Sequence, residues 1–358
     1  MRLVTSRAVA QVRPFRAVRY DEQRAGPLAS LVAPPYDVLD AAARDRYLGA
    51  SPYNVVHLTL SDHEAEAAAL WSAWLGEGIL VHEDEAACWW LAQEYVGPDG
   101  VARTREGLVC ALRAEPYEAG VVLPHERTHA GPKEGRLRLL RALQAHVEPI
   151  FLLYRGRLER PDGENVLEVE LEGVRSRLWR IDSDPPEVLA DAQLLIADGH
   201  HRYETTLAYH AEERSEESAW MLVVIVPTEQ EGLTIFPTHR IAQRLDPVDG
   251  ERSFDGALPP DRSAAVIYRV GGATVVNGEL GEPDTALVDR LGLEGVMYTP
   301  YEEEAKAAVD SGAAHAAVLV RPPSVALVRE LAERGETMPQ KSTYFYPKLP
   351  SGLFFMPL

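Results

Sequence analysis

Asp198-Gly199-His200-His201-Arg202 places a glycine before two histidines and an arginine. In that order these residues can hold an anion. A glycine turn that opens a helix presents backbone N–H groups, and imidazole and guanidinium donors stand beside them. Upstream, Leu194–Ala197 reads as a short buried strand. Downstream, Tyr203, Leu207, Ala208 and Ala211 recur at three- and four-residue spacings, one face of a helix. Gly199 supplies the tight turn, and Asp198 is expected to cap the helix start. Phosphate is the anion that suits such a place. The competing reading is an ordinary strand–helix junction with surface histidines, so the rest of the chain must choose.

A second group, His125, Glu126, His129, Lys133 and Arg136, crowds a loop and the start of the following helix. One carboxylate among cations suits a general base with charge stabilisers around it. The alternative is a solvated helix entrance with dispersed charges. His125 and His129 have the i, i+4 spacing of half a helical metal pair, but Pro124 and Gly131-Pro132 argue against a continuous helix and therefore against zinc. A third group, Lys341-Ser342-Thr343, resembles the end of a phosphate-binding loop without its glycines, and makes Lys341 a candidate phosphate contact. The His–Arg pair in Phe236–Arg240 reads equally well as structural. No Gly-x-Ser-x-Gly elbow and no Gly-x-Gly-x-x-Gly fingerprint occurs, which leaves serine hydrolase and dinucleotide chemistry unsupported.

These groups must be positioned by a scaffold. Pro34-Pro35 forces an extended segment, with Tyr36 and Asp37 on the loop after it. "YNVVHLTL" predicts a strand, "DHEAEAAALWSAWLGEG" an amphipathic helix, and the runs flanking Asp99-Gly100 a β-hairpin. A helix over about 134–145 and a strand over 149–154 follow the His-Glu loop, and strands alternate with helices from Arg252 onward. The pattern predicts a mixed α/β (α+β) fold. Three regions are expected: 1–115 with the hairpin, 116–230 as the phosphate- or nucleotide-binding core, and 231–358 as a C-terminal α/β region.

The chain has 358 residues, 46% hydrophobic and 25% charged, with a formal net charge of −19. So acidic a surface disfavours DNA or RNA as partner, while leaving room for a small anion in a locally positive pocket. The two cysteines, Cys88 and Cys110, lie in apolar runs and predict buried free thiols. No apolar signal segment or membrane span is legible, so a cytoplasmic protein with small-molecule partners, and with scope for a homo-oligomer, is expected.

Taken together, "RPFRAVR", "APPYDV", "PHERTHAGPK", "RLRLL", "PIFLLY", "ADGHHRYETTLAY", "PTHR" and "MPQKSTYFYPKLPSG" resemble the family known as domain of unknown function 1015. They span nearly the whole chain in order, with a departure at Glu134-Gly135 before Arg136. The middle of the chain is also similar to the ParB/sulfiredoxin-like superfamily, which binds nucleotides or phosphates at such a turn. Sulfiredoxin chemistry is not implied, because His200 stands where its cysteine would be. The acidic "AEERSEES" departs from the basic helices of ParB-like proteins.

Within that superfamily the His-Glu segment and the Asp-Gly-His-x-Arg turn look like those of the free-serine kinases. That resemblance implies ATP or ADP with Mg²⁺ as cofactors, Glu126 as catalytic base, and a nucleotide-binding turn of Asp198, His200 and Arg202. The binding set expected here is Asp198, Gly199, His200, His201, Arg202 and Lys341. Glu126 and His200 are the catalytic candidates and Asp198 the metal candidate. The expected activity is phosphoryl transfer to a small hydroxyl metabolite. A nucleotide-binding regulator and a metal-dependent phosphohydrolase are the alternatives. The acidic stretch "RPDGENVLEVELEGVRSRLW" and the large C-terminal half lie outside the simple kinase module.

Overall fold

The computed structural model describes residues 9–127 and 130–358, with only the backbone described at 130–132. Among the described residues nine strands build the larger sheet: β1 (Val12–Arg13), β2 (Cys88–Val96), β3 (Ala102–Arg113), β4 (Val122–Leu123), β5 (Ile150–Tyr154), β6 (Glu164–Leu171), β7 (Val174–Ile181), β8 (Leu194–Asp198) and β9 (Trp220–Pro227). Their order is β4-β8-β5-β9-β3-β2-β7-β6, with β1 paired to β3. The fold is mixed α/β.

Side-chain alternation explains why the sheet centre is so apolar. Along β9, Leu222, Val224 and Val226 join one core while Met221, Val223 and Ile225 join the other. A strand covered on both faces needs apolar residues at every position. The Asp99-Gly100 turn closes the β2–β3 hairpin as expected, with Gly100 at φ 75°. The acidic stretch forms the β6–β7 hairpin, and β7 pairs with β2 to extend the sheet. On one face lie helices α1 (Glu64–Gly76) and α2 (Ala130–Leu143), which bury Trp71, Trp74, Leu139 and Leu143. Helix α3 (His200–Glu213) packs on α2 through Leu137, Leu140 and Tyr209.

Two local expectations are overturned. "YNVVHLTL" is not a strand: Val56–Thr59 is a short helix. The Asn54 side chain accepts from the Val56 N–H and donates to the Ser30 and Val32 carbonyls, so a local cap outweighs the β propensity of the valines. Helix α2 begins at Ala130, not near Glu134, and includes Gly131 and Pro132. Proline is tolerated in a first turn, where its missing N–H has no helical partner to lose.

A second sheet of six strands, all pairings antiparallel, spans His239 to Leu319. The chain then returns to segments that precede the second sheet: Tyr344–Tyr346 pairs with Thr234–Phe236, and Met356–Pro357 pairs with Ala145–His146. Both cysteines are buried free thiols. Among the described residues no helix is long and apolar enough to cross a membrane.

Candidate active site

Strands β4 and β8 are parallel neighbours, with Val122 opposite Leu194 and Leu123 opposite Leu195. The chain therefore leaves both strands in one direction, and Pro124-His125-Glu126 emerges beside Ile196–Gly199. His125 fastens the two exits: its Nδ1–H donates to the Ile196 carbonyl at 2.6 Å, which leaves Nε2 to accept from the Thr343 hydroxyl at 2.9 Å. Strand β5 runs antiparallel to β8, so its N-terminal end arrives at the same edge.

At the turn, Gly199 has φ 96°, and a Cβ there would come within 3.1 Å of the Arg202 guanidinium. Both the left-handed backbone and the close approach call for glycine. Helix α3 starts directly after it, and no side chain caps that start. The expected Asp198 cap is thus replaced by a different arrangement. Asp198 accepts from Lys348 Nζ through one oxygen and from Arg202 Nη2 at 2.7 Å through the other. Arg202 also donates to the Pro149 carbonyl at 2.5 Å. The buried face of α3 differs from expectation as well, since Ala211 is exposed while Thr205 and Thr206 are buried. Their hydroxyls donate to the carbonyls four residues earlier, which satisfies them inside the helix.

Glu126 is held by the returning C-terminal segment. Its Oε1 accepts the Lys341 backbone N–H at 2.8 Å, and the Met338 N–H donates to the His125 carbonyl at 2.8 Å. Glu126 keeps a side-chain exposure of 20%, enough to meet a ligand. Burial pushes its carboxyl up to about 7, although the Lys341 N–H and the charges of Lys341 and Lys348 pull the other way. Burial also pushes His125 down to about 4 and His200 well below the ordinary histidine range. Both imidazoles are therefore neutral at pH 7, and His200 Nε2 accepts the His125 backbone N–H at 3.3 Å. Asp198 behaves oppositely. Burial opposes its charge, but Lys348 and Arg202 outweigh it and hold the carboxyl far below the usual range.

One cavity of about 260 Å³ is lined by every binding and catalytic candidate: Glu126, Asp198, Gly199, His200, His201, Arg202 and Lys341. Lys133 and Arg136 point to other tasks. Lys133 pairs with Glu204 at 2.8 Å, and Arg136 donates to the Thr59 carbonyl and lies over the Tyr36 ring. His129 lies outside the described residues, and with it the histidine-pair expectation. His239 and Arg240 are buried elsewhere, on the second sheet. Lys348, Thr343, Tyr36 and Asp37 also line the cavity; Thr343 belongs to the Lys341-Ser342-Thr343 group, whereas residue-by-residue reading did not select the other three as site residues. The only sequence signals for Lys348, Tyr36 and Asp37 were the "YPKLPSG" and "APPYDV" motifs.

As a chemical arrangement, the cavity combines an uncapped helix start and several cations with a carboxylate that titrates near neutrality. Among the described residues no group of three or more His, Cys, Asp and Glu side chains is disposed to hold a metal.

Residues 12–260 match the family described as "Protein of unknown function (DUF1015)", and the chain belongs to that family. No curated protein matches in sequence. Among solved structures, a conserved hypothetical protein from Pyrococcus furiosus is similar at 18% identity and a TM-score of 0.40, covering 64% of this chain and 90% of that one. A free serine kinase in complex with AMP is similar at 16% identity and a TM-score of 0.41, covering 65% and 89%. SbnI from Staphylococcus aureus, with a C-terminal truncation, is similar at 12% and 0.37, covering 69% and 87%.

Proposed function

We propose that the protein is a nucleotide-dependent phosphotransferase acting on a small hydroxyl metabolite, built on a ParB/sulfiredoxin-like core. The observation that carries this reading is the meeting of Glu126, with its carboxyl near 7, and the uncapped Gly199 turn in one cavity. Phosphoryl transfer asks the protein mainly for positioning and charge stabilisation, plus an acceptor for the alcohol proton. The turn and the helix dipole hold the transferred phosphate, with Lys341, Lys348 and Arg202 around it. Glu126 takes the acceptor's hydroxyl proton. The acceptor oxygen bonds to the terminal phosphorus as the bond to the bridging oxygen breaks, and the nucleotide, ATP or ADP, leaves one phosphate shorter. A carboxyl that titrates near the working pH is well matched to this task.

Neutral His200 contributes hydrogen bonding rather than charge, and His201 lines the rim of the cavity. Mg²⁺, which shields phosphate charge in such reactions, is ordinarily held by one or two carboxylates together with phosphate oxygens. Asp198 fits that role only when Lys348 or Arg202 gives way, since both of its oxygens are engaged. Asp37 is the exposed carboxylate of the same cavity. The same engagement of Asp198 favours one second reading, a regulator that grips a nucleotide without turning it over.

Incubation with ATP or ADP and a pool of hydroxyl metabolites, read by mass spectrometry, tests the proposal. A new phosphorylated metabolite is expected. Nucleotide binding without product points to the regulator, and phosphate release without an acceptor product points to a hydrolase.

A further inference from the structure

A second cavity, also about 260 Å³, shares Lys348 with the first. Tyr301, Tyr344 and Tyr346 line it, together with Pro34, Pro347 and Pro350. The Tyr344 and Tyr346 rings lie 5.8 Å apart at 38°, and Tyr301 is 48% exposed. Flat aromatic faces and prolines offer a slot for a planar ring. The cleft also carries Glu172, held by the Tyr47 hydroxyl at 2.8 Å and by Arg46 at 2.9 Å. A carboxylate at that wall repels phosphate, and Glu126 does not line this cleft, so neither the reacting phosphate nor the acceptor hydroxyl belongs there. What remains is the non-reacting end of the nucleotide.

We infer that the tyrosine cleft is a nucleobase site, taking the base of the nucleotide whose phosphates rest on the Gly199 turn. The inference rests on the phosphate-binding reading of that turn. The two cavities meet at Lys348, whose Nζ touches Asp198 and lies 5.8 Å from the Tyr344 ring centroid. A nucleotide lying across Lys348 would place its ribose between the turn and the tyrosines. Tyr301 precedes the helix Glu302–Asp310 beside the second sheet, so the C-terminal half would contribute directly to nucleotide recognition. Stacking on tyrosine tolerates any base, because every base has a π face. Purine and pyrimidine nucleotides should therefore both bind, with the larger purine ring favoured.

The test is calorimetric titration of the full chain with AMP and, separately, with inorganic pyrophosphate. Tyr344→Ala and Tyr301→Ala should each weaken AMP by about 10-fold while leaving pyrophosphate affinity within about 2-fold. Tyr301 is about half exposed, so its variant keeps the test valid where Tyr344→Ala fails to fold. If both ligands bind the unaltered protein and neither variant changes AMP affinity, the cleft is not the base site, although the turn reading stands. If the unaltered protein binds neither AMP nor pyrophosphate, the turn reading falls and this inference falls with it.

Discussion

Two aspartates bound to arginine, Asp284 at the start of a helix on the second sheet and Asp198 at the end of β8, do opposite things. Beside the second sheet, Asp284, the first residue of the helix Asp284–Asp289, accepts from the Ala264 N–H, from the Arg321 N–H, and from Arg321 Nε and Nη2. Arg321 gives its remaining donors to the Pro259 and Arg262 carbonyls. Backbone groups supply two of the four hydrogen bonds to Asp284 and two of the four made by the Arg321 guanidinium, and the pair ties the start of the helix to a neighbouring strand and loop. In the first sheet, Asp198 meets two cationic side chains that border a cavity, next to a helix start without a cap. The surroundings there push Glu126 up and His125 down. Buried charge by itself is therefore no sign of function. The sign is buried charge beside unsatisfied polar groups and displaced proton affinities, open to a ligand.

The largest expected effect separates base from scaffold. Glu126→Gln should lower turnover by about 10²–10⁴-fold, with nucleotide affinity little changed, because the amide keeps the size and the Lys341 contact. Glu134→Gln, at a surface site on α2, should leave the rate unaltered. Equal losses in both variants, or in neither, would remove Glu126 from the mechanism. Glu126→Gln should also raise stability at pH 8 in urea titrations, by about 1–2 kcal/mol. The sign follows from a folded-state affinity lifted above the unfolded one: the native state binds the extra proton, so its stability declines as pH rises from about 4.5 to 7, and the amide escapes that loss.

Asp284→Ala should do the reverse. Leaving Arg321 without its carboxylate should cost about 3 kcal/mol of stability in urea titrations and shift nucleotide affinity by less than about 2-fold. A strong effect on binding with stability intact would erase the contrast between the sheets. Lys348→Met should weaken ADP binding by about 10-fold or more, as a charged hydrogen bond to phosphate is lost. Unchanged affinity would make Lys348 a strut for Asp198 alone.

Smaller, and sharpest in sign, is the response to pH. If Glu126 is the base, kcat/KM should climb with pH to a plateau above about 7, and that limb should vanish in Glu126→Gln. In Glu126→Gln, where the opposing contribution of the carboxyl is gone, stability should fall as pH drops from about 6.5 toward 4, because His125 and His146, both pushed down to about 4, stay neutral in the folded protein and bind protons only on unfolding. Flat stability across that window would show that these imidazoles are not buried neutral.

The turn and the His-Glu loop were legible in the sequence because each is a local pattern. Gly199 is needed by its own backbone, and Glu126 stands alone among cations. Their convergence was legible only through the order of elements, which the parallel pairing of β4 with β8 makes concrete. Lys348 was not legible. It reaches Asp198 across 150 residues of sequence, a contact no periodicity encodes. The short helix at Val56–Thr59 escaped for another reason: a single capping side chain, Asn54, outweighs the strand preference of its neighbours. Asp198 was misread as a cap because its tertiary cations were invisible from the turn alone.

The central claim is that the Gly199 turn grips phosphate. Amide-resolved NMR of the full chain during titration with ADP tests it most directly. The claim predicts that the amides of Gly199 to Tyr203 shift earliest and furthest, with pyrophosphate reproducing those shifts. Saturable ADP binding that leaves these amides in place, with shifts confined to other parts of the chain, would contradict it.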